Sequence, residues 1–113
     1  MKIYHNPRCK KSRAGLAYLE EKTTDFEKIH YLKDEPFSEE SLKKLLDKMG
    51  KKPQDMIRTQ EKVYKEKYKG KELSDDEWIK AIADNPKLIQ RPIVETEDKA
   101  VWADPPENMD ELF

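Results

Sequence analysis

Lys2-Ile3-Tyr4-His5-Asn6-Pro7-Arg8-Cys9-Lys10-Lys11-Ser12-Arg13 is a β-type run, a turn and the start of a helix, in that order. Ile3 and Tyr4 favour an extended chain, Asn6-Pro7 is a turn former, and the stretch from about Lys10 to Lys22 has helical composition. Leu16 and Leu19, with Ala17 and Tyr18 beside them, give that helix an apolar face, and Thr23-Thr24-Asp25 ends it. Phe26 to Leu32 reads as a second strand. A strand, a crossover helix and a second strand make a parallel pair.

Downstream, Asp34-Glu35-Pro36 breaks the chain and Ser38 is a natural N-cap. Leu42, Leu45, Leu46 and Met49 then fall at helical spacing before Gly50, which predicts an amphipathic helix. Charge dominates Lys51 to Gly70, where Met56-Ile57, Val63, Tyr64 and Tyr68 support only short helical pieces. Ser74-Asp75-Asp76-Glu77 has the spacing of a capping box, followed by Trp78, Ile79 and Ile82 on one face of a third helix that ends near Asn85-Pro86. Arg91 to Thr96 and Lys99 to Ala103 are two β-type runs around the acidic turn Glu97-Asp98, the pattern of an antiparallel hairpin. Asp104-Pro105-Pro106-Glu107 starts a C-terminal helix. The predicted fold is α/β: one domain over residues 1–113, a four-stranded mixed sheet flanked by helices, with a helical insert at about 38–86.

The composition narrows the function. With 113 residues, 35% of them hydrophobic, the chain supports one modest core. Lys plus Arg number 23 against 24 for Asp plus Glu, a net charge of -1 that lacks the basic footprint of a phosphate-backbone binder, so direct nucleic-acid binding is not expected. No apolar run approaches the roughly 20 residues of a spanning helix, and no apolar signal region follows Met1, which predicts a cytoplasmic protein without a membrane partner. The single cysteine excludes a disulfide framework and any site made of several thiolates. Metal binding is not expected either: Cys9, His5 and His30 are too few ligands for a closed site.

Cys9 remains as the chemical candidate. It stands just before a helix, where free backbone amides and the helix dipole favour an anion, and Arg8, Lys10, Lys11 and Arg13 add positive charge. Both effects lower a thiol pKa and raise its reactivity. A buried cysteine acting as a small hydrophobe is the plainer alternative, but the flanking cations are out of place in a core. Ser12 is placed to donate its hydroxyl to the sulfur or to a bound anion. His5 suits a general base or a structural hydrogen bond. A phosphatase-type loop would need an arginine six residues after the cysteine, where this chain has Gly15.

Tyr4-His5-Asn6-Pro7-Arg8-Cys9-Lys10-Lys11-Ser12-Arg13 resembles the Y-H-N-P-x-C-x-x-S-R signature of the glutaredoxin-coupled arsenate reductase family. His30-Tyr31-Leu32, Ile57-Arg58, Asn85-Pro86, Ile89-Gln90-Arg91-Pro92-Ile93-Val94 and, more loosely, Pro105-Pro106-Glu107 extend the resemblance along nearly the whole chain. It implies a thioredoxin-like sheet, a cis peptide at Arg91-Pro92, Cys9 as nucleophile and Arg58 and Arg91 as anion-binding cations, with His5, Asn6, Ser12 and Arg13 supporting the loop. The implied reaction is attack of the Cys9 thiolate on an oxyanion such as arsenate, the adduct being resolved by an external thiol, glutathione or glutaredoxin, with no bound cofactor and a monomeric protein. Where the family places a third anion-binding arginine, this chain has Asp104, whose carboxylate would repel an oxyanion. Spx-type regulators of the same fold commonly have C-x-x-C at this loop, and Ser12 in the second position favours the reductase branch. The competing reading is an Spx-like, non-catalytic redox sensor that binds a protein such as RNA polymerase, with a vestigial cysteine loop as a third.

Overall fold

A computed structural model of the chain describes residues 1–33 and 35–113 and divides into two compact units, Met1–Glu35 with Arg91–Phe113, and Pro36–Gln90. Asp34, the first residue of the chain break expected after the second strand, lies outside the described residues.

The first unit contains β1 (Lys2–Tyr4), α1 (Lys10–Lys22), β2 (Glu27–Ile29), β3 (Ile93–Glu95) and β4 (Ala100–Trp102). The strands form one mixed sheet in the order β2-β1-β3-β4, parallel between β1 and β2 and antiparallel across the other two pairs. Ile3 is in register with Val94, and Val94 with Val101, so one face carries a row of aliphatic side chains. That row joins Leu19 of α1, Ala103 and Met109 in a buried cluster, flanked by Leu16, Tyr18, Phe26 and Leu112. The α/β class and the mixed four-stranded sheet agree with the sequence reading.

Two elements differ from expectation. β2 spans only Glu27–Ile29, because His30 turns the chain: its carbonyl accepts from the Lys33 and Glu35 amides at 3.2 and 3.3 Å. The C-terminal segment Pro106–Leu112 is a 3-10 helix. It is fixed to α1 by the hydrogen bond from Tyr18 to Asp110 (2.6 Å) and by the Lys22–Asp110 ion pair (3.5 Å).

The second unit is helical. α2 (Glu39–Met49) begins at Ser38, whose Oγ accepts from the Ser41 amide while Ser41 Oγ accepts from the Ser38 amide, both at 3.0 Å. It ends at Gly50, which takes the left-handed conformation (φ 65°) that closes a helix. α3 (Asp75–Asp84) begins with the expected box: Ser74 Oγ accepts from the Glu77 amide and Glu77 Oε1 from the Ser74 amide. Leu42, Leu45 and Leu46 of α2 and Trp78, Ile79, Ala81 and Ile82 of α3 are buried. Between these helices lie a 3-10 turn, Pro53–Met56, and a π-helical turn, Tyr64–Tyr68; Tyr64 stacks on Trp78 with ring centroids 6.5 Å apart. Ile57 and Ile89 form an antiparallel bridge flanked by Arg58 N–H to Leu88 O (2.7 Å) and Gln90 N–H to Met56 O (2.8 Å). Among the described residues no helix is long and apolar enough to cross a membrane.

Candidate active site

After β1 the chain must turn sharply to enter α1, and the side chain of Asn6 organises that turn. Asn6 Oδ1 accepts from the Arg8 amide at 3.1 Å and its carbonyl from the Cys9 amide at 3.0 Å, a local closure that asparagine favours. Arg13, one helical turn on, donates from Nη1 to the Pro7 carbonyl at 3.0 Å. Asn6 and Arg13 therefore support the loop through its backbone.

Cys9 is the N-cap residue of α1, with extended backbone (φ -93°, ψ 124°) and no side-chain cap. Serine or aspartate at this position would accept from the first-turn amides, whereas the Cys9 side chain makes no such cap. Burial pushes the thiol pKa up, but the backbone N–H of Ser12, the Arg91 guanidinium and the backbone N–H of Lys11 favour the thiolate. Together they hold the pKa below the ordinary thiol value. Cys9 is partly exposed, so the sulfur is open to a reactant.

Ser12, three residues after Cys9, is fully buried, and its Oγ has no hydrogen-bond partner among the described residues. His5 is also buried, its amide donating to Ile29 O at 2.9 Å, and its Nδ1 likewise has no partner among the described residues. Desolvation first, then Lys28, His30 and Arg13, lower the His5 pKa, while the Ser12 backbone raises it. Neutral imidazole is thus the form favoured at neutral pH.

Arg91 and Pro92 enter from the strand side. The Arg91–Pro92 peptide is cis, the Arg91 carbonyl accepts from Trp102 Nε1 at 3.4 Å, and Pro92 O accepts from the Ala103 amide at 2.9 Å. Gly15 of α1 faces the proline: a Cβ there would lie 2.5 Å from Pro92 Cγ. A glycine inside a helix costs about 1 kcal/mol relative to alanine, a signal that could have announced this close approach.

Asp104 follows Ala103 and pairs with Lys11, Nζ to Oδ2, at 3.1 Å. Nothing in the sequence spacing announces that pair, since the residues are distant in the chain. Arg58 belongs to the helical unit, where the Ile57–Ile89 bridge fixes its backbone. Its side chain is 12% exposed and lies 3.7 Å from Glu61, and Nε has no hydrogen-bond partner among the described residues. No cluster of three or more His, Cys, Asp or Glu suited to a metal occurs among the described residues.

A mixed β2-β1-β3-β4 sheet, a cysteine capping the first helix and an Arg-Pro pair leading into β3 define a thioredoxin-like protein of the arsenate reductase type. The chain belongs to the ArsC family, whose model matches residues 4–112. It is 41% identical over 115 residues to an arsenate reductase of Neisseria meningitidis serogroup B, covering 100% of this chain and 97% of the relative. It is 39% identical over 113 residues to an arsenate reductase of Haemophilus influenzae, covering 98% and 97%. The solved structure of an arsenate reductase from Vibrio cholerae superposes with a TM-score of 0.90 at 43% identity, covering 100% of this chain and 98% of that one.

Proposed function

We propose that the chain is a thiol-dependent oxidoreductase in which the Cys9 thiolate attacks an oxyanion of the arsenate class. The observation that carries this reading is the set of donors around the sulfur: the Ser12 and Lys11 amides and the Arg91 guanidinium. Donors that stabilise a thiolate also suit the oxygens of a tetrahedral anion brought to it, and a guanidinium offers paired, fixed N–H groups.

In the first step the Cys9 sulfur bonds to arsenic and one arsenate oxygen leaves as water, taking its protons from solvent. External thiols then displace the arsenic and deliver two electrons to it. Arsenate and two thiols become arsenite, one disulfide and water, and Cys9 is released as the thiolate. Cys9 is the chain's single cysteine, so the resolving thiol comes from outside. Glutathione or glutaredoxin fits that role in a reducing cytoplasm, and the reaction needs no bound cofactor and only a monomer.

The test is arsenate-dependent oxidation of glutathione, with and without glutaredoxin. Wild-type turnover that vanishes in Cys9→Ser is the expected result. Equal rates in the two proteins would overturn the assignment and favour a binding role for this surface. The anion-binding role that the family resemblance gives Arg58 is read from Arg58→Met in the same assay.

A further inference from the structure

We infer that His5 and His30 form an acid-sensitive latch at the carboxyl ends of β1 and β2, one that holds the Cys9 loop against the sheet while the two rings are neutral and loosens it when they take up protons. The latch acts on the loop itself, whatever the thiol reacts with.

Tyr4 is in register with Ile29 across the parallel pair, and the His5 amide donates to Ile29 O at 2.9 Å. In a parallel ladder that bond sets His5 opposite His30, with both side chains on one face of strands roughly 4.8 Å apart. Alternation from Ile3 puts this face under α1, because Ile3 packs there with Leu19. The buried line of α1 begins at Ser12, and the Ser12 backbone interacts with the His5 ring. His5 is 8% exposed and His30 is half-buried, and Nδ1 of each ring is buried with no hydrogen-bond partner among the described residues. The His30 carbonyl, which closes the turn that follows, keeps the second ring at the strand end.

Two neutral rings suit this place and two imidazolium ions do not. The groups facing His5 are Lys28 and His30 from the β2 side and Arg13 from α1, all of them basic. The carboxylates near β1, those of Glu95, Glu35 and Glu27, act on Tyr4, whose side chain alternation sends to the opposite face. A proton on either ring is therefore a buried charge without a counter-ion, and a proton on one ring opposes a proton on the other. In the unfolded chain a histidine takes its proton near about pH 6.5. Just below that pH the folded chain, with its His5 value lowered, binds fewer protons than the unfolded one. Stability from His5 is thus fully present above the unfolded value and is lost as pH falls through the folded one. Local opening relieves this with the least disruption: the rings swing out, His5 leaves Ile29 O, and the turn at Asn6 that positions the Cys9 amide slackens. Acid thereby uncouples the thiol from the first turn of α1.

The test is amide hydrogen exchange of the intact chain at about pH 7.5 and about pH 5.5, on either side of the ordinary imidazole value, with each rate divided by its intrinsic value at that pH. Three amides report: His5, bonded to Ile29 O; Cys9, bonded to Asn6 O at 3.0 Å; and Ala103, bonded to Pro92 O at 2.9 Å elsewhere in the same unit. On acidification His5 and Cys9 are expected to lose protection about tenfold, the weight of about one pKa unit, while Ala103 changes by less than about threefold. In His30→Leu, which keeps an apolar side chain but cannot take a proton, the loss at His5 and Cys9 should shrink to about threefold or less. His30→Gln, equally unable to ionise, gives the same reading should the leucine variant fail to fold. Unchanged protection at His5 and Cys9 in the wild type, an equal loss at Ala103, or a loss as large in the variant as in the wild type would each overturn the latch. None of these outcomes involves arsenate turnover, so the reading of Cys9 as nucleophile stands or falls separately.

Discussion

Cys9 stands at the N-cap position of α1, so the amides of the first helical turn also favour its thiolate. Its pKa is lowered in the folded protein because the Ser12 and Lys11 amides and the Arg91 guanidinium outweigh the opposing effect of burial. Between the folded value and the unfolded one, the unfolded chain binds more protons. Stability from this group is therefore fully present above the unfolded value and is lost as pH falls through the folded value. Removing the guanidinium should reverse part of this. In Arg91→Met, the midpoint of the pH-dependent rise in thiolate absorbance is expected to move upward relative to wild type, together with the midpoint of the alkylation rate. An unmoved midpoint would show that the Ser12 and Lys11 amides suffice. Much of this site was legible in the sequence, because local order dictates it: a turn, a cysteine and a helix start are neighbours in the chain. The partners from outside that segment were of two kinds. Arg91 was implied by the family resemblance, whereas the contact between Lys11 and Asp104 depends on tertiary packing that spacing does not encode.

α1 shows how an element is shaped by what it packs against. Ser12, Gly15 and Leu19 form its buried line, and Gly15 sits where the Pro92 ring leaves no room for a methyl group. Alanine at this position would gain about 1 kcal/mol of helix propensity. Overpacking against a stiff ring costs typically 1–3 kcal/mol, so the clash is expected to win. Gly15→Ala should therefore unfold at a lower urea concentration than wild type; a higher midpoint would mean that the ring yields. The helices with strong end signals were predicted well from sequence. Ser38 and Gly50 bracket α2, and Ser74 with Glu77 opens α3, because these residues satisfy free backbone groups by local contacts. β2 and the C-terminal segment were less legible. Apolar residues continue past Ile29, but the hydrogen bonds to the His30 carbonyl end the strand. The 3-10 form of Pro106–Leu112 accompanies contacts from Tyr18 and Lys22, which lie far away in sequence.

For the whole molecule, the division of the chain matters more than its balanced charge. The helical unit is one continuous stretch, Pro36–Gln90, while the sheet unit is assembled from the segments on either side of it. β1 and β2 lie before that stretch and β3 and β4 after it, yet β1 pairs directly with β3. A polypeptide is made from its N-terminus, so the order of synthesis and the order of the sheet conflict. On the ribosome the helical stretch is complete before β3 exists, and it is expected to fold first, as contiguous units generally do. Meanwhile Ile3 has no Val94 beside it, and the Cys9 loop has no Arg91. Nascent chains arrested at increasing lengths and given a brief protease pulse should show protection of residues 36–90 before protection of residues 1–33. Simultaneous protection of both would indicate that the two units form together. If the order holds, each new molecule passes through an interval in which its cysteine has been translated but not yet activated, and the thiol acquires its reactivity only when the last strands arrive.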